Sequence, residues 1–221
     1  MAQVINTNVS ALFAGAALNK SAIALQTAQQ RLSSGVRINS AKDDATGLVT
    51  ATNYDTQIRA ANVNVRIQND AISAAQTNDG YLGIVTENLQ RISELLVQTS
   101  GGNAETAALI TENASLVAKI STGAPSLTSS GNGTAAAATA DMDAVMTARA
   151  AFGATMATAA SEVSAYQISS VNLSAAYSRV MDTDYASETT NMTRNNILQQ
   201  AGTAVLAQAN QVPNTVLTLL R

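Results

Sequence analysis

Both ends of this chain place an apolar residue at every seventh position. Val4, Ala11, Leu18, Leu25 and Leu32 recur near the start. Leu198, Val205, Val212 and Leu219 recur near the end, interleaved with Gly202, Ala209 and Val216. A seven-residue apolar repeat is the seam of a coiled coil, and such a seam has to be covered. Chain ends otherwise fray, because little ties them down. The two ends are therefore expected to pack on each other, on further copies, or on both. That directs the reading toward assembly and away from a self-contained catalyst.

The kind of core is set by side-chain size. Hydrophobic residues make up 46% of the chain, but Ala dominates them, only 3% of residues are aromatic, and there is no Trp. Ala buries little area, so it suits closely spaced helices better than a thick globular core. Two prolines and twelve glycines leave room for long uninterrupted helices. The chain has no His and no Cys, which excludes imidazole acid–base chemistry, thiolate nucleophiles, disulfides and the usual zinc ligand sets. No catalytic, metal-binding or cofactor-binding residues are expected. A net charge of −3 gives no reason to expect a nucleic-acid partner.

The opening MAQVINTNVSALFAGAALNK has neither the basic leading region nor the continuous apolar run of a cleavable secretory signal. Residues 195–220 are free of charge, but Gln199, Gln200, Gln208, Asn210, Gln211 and Asn214 argue against a membrane span. A charge-free, amide-rich helix instead fits a tightly packed protein surface.

Apolar periodicity predicts five helices. The first runs from about Asn6 to Ser33, with Gly35 as its stop. Ser40 followed by Asp43 resembles a capping box opening the second. That second helix carries Ile58, Ala61, Val65, Gln68, Ile72 and Ala75, then Leu82, Val85, Leu89, Ile92 and Leu96, with Gly80 and Gly83 marking a candidate bend and Gly101–Gly102 its end. A third spans roughly Glu105 to Ile120. Residues 121–140 are Ser-, Thr-, Gly- and Ala-rich and read as a tip loop with an Ala-rich helical start. The fourth helix runs from Met142 through Phe152, Tyr166 and Tyr177 to Val180, and only Arg149 and Ser170 are polar along its stripe. The last follows the acidic break MDTDYASETT, with Pro213 inside it at the cost of a backbone bond and a local bend. The resulting fold class is all-α: a long antiparallel helical bundle or coiled-coil rod in two stacked layers, with little or no β. The first helix lies opposite the fifth, and the second and third lie opposite the fourth.

Smaller constellations read as structural. Asp182-Thr183-Asp184 lacks the further oxygen ligands of a calcium loop, and capping of the last helix is the expected role. Asp43 and Asp44 point apart on a helix and suit a helix start, not paired acid–base work. Arg31 and Arg37 fall level with Asp182, Asp184 and Glu188 if the ends pair. Opposite charges there either set the register or stay solvated in two connectors. Asn-x-Ser/Thr triplets at Asn8, Asn113, Asn132, Asn172 and Asn191 are what composition alone would produce.

Several long motifs then carry a resemblance. MAQVINTNVSAL, LNKS, RLSSGVRINSAKDDATG and NLQRISELLVQ resemble the N-terminal part of bacterial flagellin. The stretch from NLSAAYSRVMDTDYASETTNMTRNN to the end resembles its C-terminal part. The resemblance covers roughly the first 100 and last 80 residues. It implies a non-enzymatic structural subunit that polymerises into the flagellar filament for motility. Residues 1–37 with 182–221 would form the terminal coiled-coil inner domain, and 38–181 a helical second shell with the tip loop at about 121–140. There is no room for the variable outer domains of longer members, so a thin filament of two helical shells is implied.

The resemblance further implies a secreted, extracellular protein of the bacterial flagellum, exported unfolded through a type III apparatus. Its partners would be other copies of itself, an export chaperone on the C-terminal helix, and cap and hook-junction proteins, with no nucleic acid and no membrane. Arg91, Glu94 and Leu95 match a patch that an innate immune receptor of animals binds in many members, although Ser93 stands where a second basic residue is common. Ser126, Thr128, Ser129, Ser130 and Thr134 are the candidate O-glycosylation positions. The assembly seam is assigned to Leu18, Leu25, Leu32, Leu198, Val205, Val212 and Leu219. A minor axial or junction protein sharing the same ends is the alternative, which the short middle disfavours. Terminal helices of Ala, Gly and amides are marginal alone, so Met1–Arg37 and Asp182–Arg221 are expected to order on assembly.

Overall fold

The structure is a computed structural model that describes residues 7–98, 104–120, 122–127 and 134–219, with 212–219 described by backbone alone. Among them the chain forms five α-helices: α1 Val9–Ser34, α2 Ala45–Gln98, α3 Ala104–Val117, α4 Ala135–Met181 and α5 Tyr185–Leu219. The fold is all-α and helix packs on helix, as the periodicity predicts. A single isolated bridge, Val36 with Asp182, is the only β pairing among the described residues. Close contacts divide the chain into two units: Met1–Thr56 with Leu173–Arg221, and Gln57–Asn172.

The unit Gln57–Asn172 holds a conventional core. Leu82, Val85, Leu89 and Ile92 of α2 are closed off completely against Leu116 of α3 and Val145 and Phe152 of α4. Each such aliphatic side chain contributes about 1.5–3 kcal/mol when fully buried. The predicted stripe is therefore real, but its upper part is thinner: Ala61 and Ala75 are buried, while Ile58, Val65 and Ile72 are only half-buried. Arg149, the polar interruption on α4, is explained by Asp79 on α2, whose carboxylate accepts from its Nε at 2.8 Å. Inside the bundle Asn113 is buried, and its side-chain oxygen accepts from the Asn88 amide at 2.9 Å. Pairing the two amides avoids the penalty of an unsatisfied buried polar group.

Several element boundaries differ from expectation. α2 runs unbroken through Gly80 and Gly83, where an added Cβ would meet nothing within 4 Å, so no break falls at the suggested bend. Gly101–Gly102 lie outside the described residues. α3 stops at Val117; the N–H groups of Lys119 and Ile120 then reach only three residues back, yet Ile120 still enters the core. α4 begins at Ala135, so residues 135–140 are the Ala-rich helical start that the sequence suggests, and only the loop's expected extent to about 140 is shortened. Consecutive alanines favour helix strongly enough to claim that stretch, and the Thr134 hydroxyl accepts the Ala137 N–H at 3.4 Å. α5 stays helical past Pro213.

The unit built from the two ends pairs α1 with α5. α1 starts where the Asn8 side chain accepts the Ala11 N–H, and it ends at Gly35, whose φ of 73° is the left-handed conformation of a helix stop. α2 starts one turn later than the Ser40 reading places it. Asp44 is the cap, its Oδ1 accepting the Gly47 N–H at 2.8 Å. Asp43 instead closes a turn before the helix, its Oδ2 accepting from the Ser40 N–H and hydroxyl and from the Asn39 N–H. Those donors, Ser40 foremost, hold the Asp43 carboxyl below its ordinary value. A small cluster of Ile38, Ala51 and Met181 seals the same region.

Candidate assembly surface

α1 and α5 meet through small residues. Ala14, Ser21 and Ala28, again seven apart, are the buried positions of α1. Ala209 is buried on α5, and Gly202 sits so close to α1 that an added Cβ would lie 3.2 Å from Leu18 Cδ1. The Asn8 amide ties the far end of the pair by donating to the Ala209 carbonyl at 2.8 Å. The intrachain seam is thus the Ala14 row against the Gly202 row, and the large residues flank it.

Those large residues define the candidate surface. Leu18, Leu25 and Leu32 are half-buried at the edge of the pair. Leu198 is 50% exposed and Val205 57%. The side chains of Val212 and Leu219 lie outside the described residues. Alongside them stand residues that the seven-residue pattern omits: Val9, Leu12, Ile23 and Ile197 are exposed, and Phe13 is 78% exposed. Phe13, Leu18, Leu198 and Val205 line an open groove of about 630 Å³ along the pair. Contiguous exposed apolar surface of this kind marks an interaction site. A count of apolar residues on every helical face, not only on the strongest repeat, would have found Leu12 and Phe13.

The connectors between the helices lock to one another. The Arg37 N–H donates to the Met181 carbonyl at 2.6 Å and the Thr183 N–H to the Gly35 carbonyl at 3.0 Å. Of the two cations expected to face acids, Arg31 does so, lying 3.8 Å from the buried Glu188. Arg37 does not; its guanidinium donates to the Val180 carbonyl. Register is therefore held by backbone pairing with one ion pair beside it. Asp184 caps α5, its Oδ1 accepting the Ala186 and Ser187 N–H groups, which is the structural role expected of the Asp-Thr-Asp run. Gly47 packs tightly at this junction: an added Cβ would lie 2.7 Å from Ile38 Cδ1 and closer still to the Asp44 carboxylate, so both side chains would have to shift.

Other candidate residues are scattered. Arg91 and Glu94 are exposed and pair with each other at 3.3 Å, and Arg91 also pairs with Glu105 at 3.5 Å. Leu95 does not join them on the surface. It is only 4% exposed, because both Leu95 and Leu96 turn toward protein where the pattern assigns only Leu96 to the core. Ser126 and Thr134 are exposed, whereas Thr128, Ser129 and Ser130 lie outside the described residues. No helix among the described residues is apolar enough over sufficient length to cross a membrane, and none of their acidic side chains cluster as a metal site.

Comparison with known proteins identifies the family of the chain. Residues 5–135 match the family model of the bacterial flagellin N-terminal helical region, and residues 135–220 match that of the C-terminal helical region. A flagellin of Xenorhabdus nematophila is 34% identical over an alignment of 316 positions that takes in all of both chains. Flagellins of Salmonella muenchen and Escherichia coli K12 are 52% and 49% identical over 102 and 106 residues, which is 46% and 48% of this chain. Those matches span only about a fifth of the two relatives' own length, 20% and 21%.

Proposed function

This chain belongs to the bacterial flagellin family, and on that premise we propose that the exposed apolar flank of its α1–α5 pair is the surface through which it polymerises. The family is one of structural proteins, and the chain is a structural subunit of the flagellar filament, serving motility. The observation that carries the surface assignment is the row Phe13, Leu198 and Val205, apolar and uncovered in a single chain. Water contact with such a row is unfavourable, and neighbouring copies stacked along the filament relieve it.

Residues 1–37 with 182–221 then serve as the inner coiled-coil domain and 38–181 as the second shell, with no outer variable domain. α1 and α5 gain most of their order from neighbours, because their mutual contact is made of Ala, Ser and Gly. Secretion through the flagellar export apparatus, a chaperone on α5, and cap and hook-junction proteins belong to the same reading. An immune receptor engaging the 91–95 region would meet Arg91 and Glu94, with Leu95 reached only if α2 gives locally. Sugar on Ser126 or Thr134 would sit on exposed hydroxyls.

The test is seeded growth of purified monomer followed by negative-stain microscopy. The intact chain is expected to extend seeds into long thin filaments. A variant trimmed of Met1–Arg37 and Asp182–Arg221 is expected to leave them unextended, and extension as ready as that of the intact chain would overturn the assignment.

A further inference from the structure

α5 opens with a surface that is polar in sequence and apolar in structure. Thr189, Thr190 and Thr193 are exposed on its first turns. Each spends its hydroxyl on its own helix. Thr189 donates to the Tyr185 carbonyl at 2.6 Å, Thr190 to that of Ala186 at 2.9 Å, and Thr193 to that of Thr189 at 2.9 Å. A threonine hydroxyl bound to the preceding turn has its one proton committed, and the methyl group is what it has left to offer a partner. Tyr185, Ile197 and Leu198 are 55%, 61% and 50% exposed, and with the threonines they line an open hollow of about 740 Å³ along α5. Arg194 is the one charged side chain among the described residues that line it. Leu198 also lines the groove beside Phe13, so the hollow continues the apolar flank of the α1–α5 pair.

We infer that this hollow receives the ridge Val9, Leu12 and Phe13 of a second copy of the chain. The inference rests on the polymer reading above and names which surface meets which. An open filament needs two unlike, complementary surfaces on every chain, because a self-complementary contact closes into a dimer. The hollow is one of the two. Val9, Leu12 and Phe13 share one face of α1 and are 63%, 66% and 78% exposed. Among the described residues, only α1 places three exposed large apolar side chains within little more than one turn. No charged side chain precedes Lys20, so the ridge brings no ion into the apolar site. The contacts of Asn8 with Ala209 and of Tyr185 with Leu32 put ridge and hollow at opposite ends of the pair. At about 1.5 Å per residue they lie roughly 20 Å apart along the helices. The ridge therefore meets the hollow of a copy displaced by that step, and the step repeats without closing.

Two full-length double variants separate methyl from hydroxyl. Ser, Thr and Val have similar helix propensity, so α5 itself changes little. Thr189→Val with Thr193→Val enlarges the apolar lining and should lower the critical concentration for seeded growth about threefold. Thr189→Ser with Thr193→Ser strips the methyl groups and should raise it about tenfold. A valine pair that raises it, or a serine pair that leaves it unchanged, overturns the inference. The occupant is tested separately, using the absence of native cysteine. Filaments grown from equal parts of Leu12→Cys and Thr193→Cys chains should give a covalent dimer on mild oxidation, and filaments of either variant alone should give none. Mixed filaments that yield no dimer mean that another segment of the neighbour fills the hollow, and the assigned ridge is overturned. If wild-type protein grows no filaments, the polymer reading itself has failed.

Discussion

The two units of this protein are built from the same alphabet and reach opposite outcomes. In Gln57–Asn172, Leu82, Val85, Leu89, Ile92 and Val145 are shut away from water, and the unit carries its own stability. In the α1–α5 pair the buried positions among the described side chains are Ala14, Ser21, Ala28, Ala209 and the ion-paired Glu188, and the larger Leu198, Val205 and Phe13 face out. Burying Ala removes little apolar area, while Leu or Phe removes two to three times as much. One unit therefore spends its large side chains on itself, and the other leaves them facing water. On the polymerisation proposed above, that division would make the terminal pair complete only in the filament.

The contrast can be broken most sharply in the core. Leu89→Ala should destabilise the monomer by roughly 2–5 kcal/mol in urea unfolding, through lost burial and the cavity left behind. Leu25→Ala in the terminal pair, already half-exposed, should cost less than half of that; equal costs would erase the distinction between the units. Gly202→Val is the next largest change. It forces a methyl-bearing carbon against Leu18 and should weaken α1–α5 pairing by about 1–3 kcal/mol, read as faster amide exchange confined to those two helices.

Phe13→Ser probes the outward-facing residues. At 78% exposure it should leave monomer unfolding within about 0.5 kcal/mol of wild type. The critical concentration for filament growth should rise at least about tenfold, equivalent to roughly 1.4 kcal/mol. A drop in monomer stability with growth unaffected would invert the comparison. The smallest effect concerns the connector. The folded-state carboxyl of Asp43 titrates below its ordinary 3.8, chiefly through the Ser40 N–H and hydroxyl. Its contribution is therefore present above the unfolded value and is lost as pH falls through the lower folded value. The gap in thermal midpoint between wild type and Asp43→Ala should be constant well above 3.8 and should shrink as pH falls below it.

Much of this was legible in the residues. The period-three-and-four run from Leu82 to Ile92 is buried as the pattern demands, because a long amphipathic stripe has few other places to go. Gly35 and Asp184 act at helix ends as their chemistry suggests. The seam of α1 was harder to see, since Ala14, Ser21 and Ala28 are weakly hydrophobic and the leucines four residues on draw attention to themselves. Leu95 and Leu96 could not be told apart by spacing, because both sit near the edge of the stripe. The Ser40–Asp43 pair shows the limit of a motif: half of the expected exchange of hydrogen bonds exists, but it closes a turn before the helix while Asp44 takes the cap.

Periodicity and composition alone established five helices, the absence of cysteine and histidine, and an apolar repeat at each end of the chain. These are local properties, written in spacing and side-chain type. Which face of α5 turns inward, that Arg37 takes a carbonyl while Arg31 takes Glu188, and that Leu95 is closed off beside Leu96 were decided only by tertiary packing. Each depends on how closely two backbones approach, and that distance is set by small residues far apart in the chain.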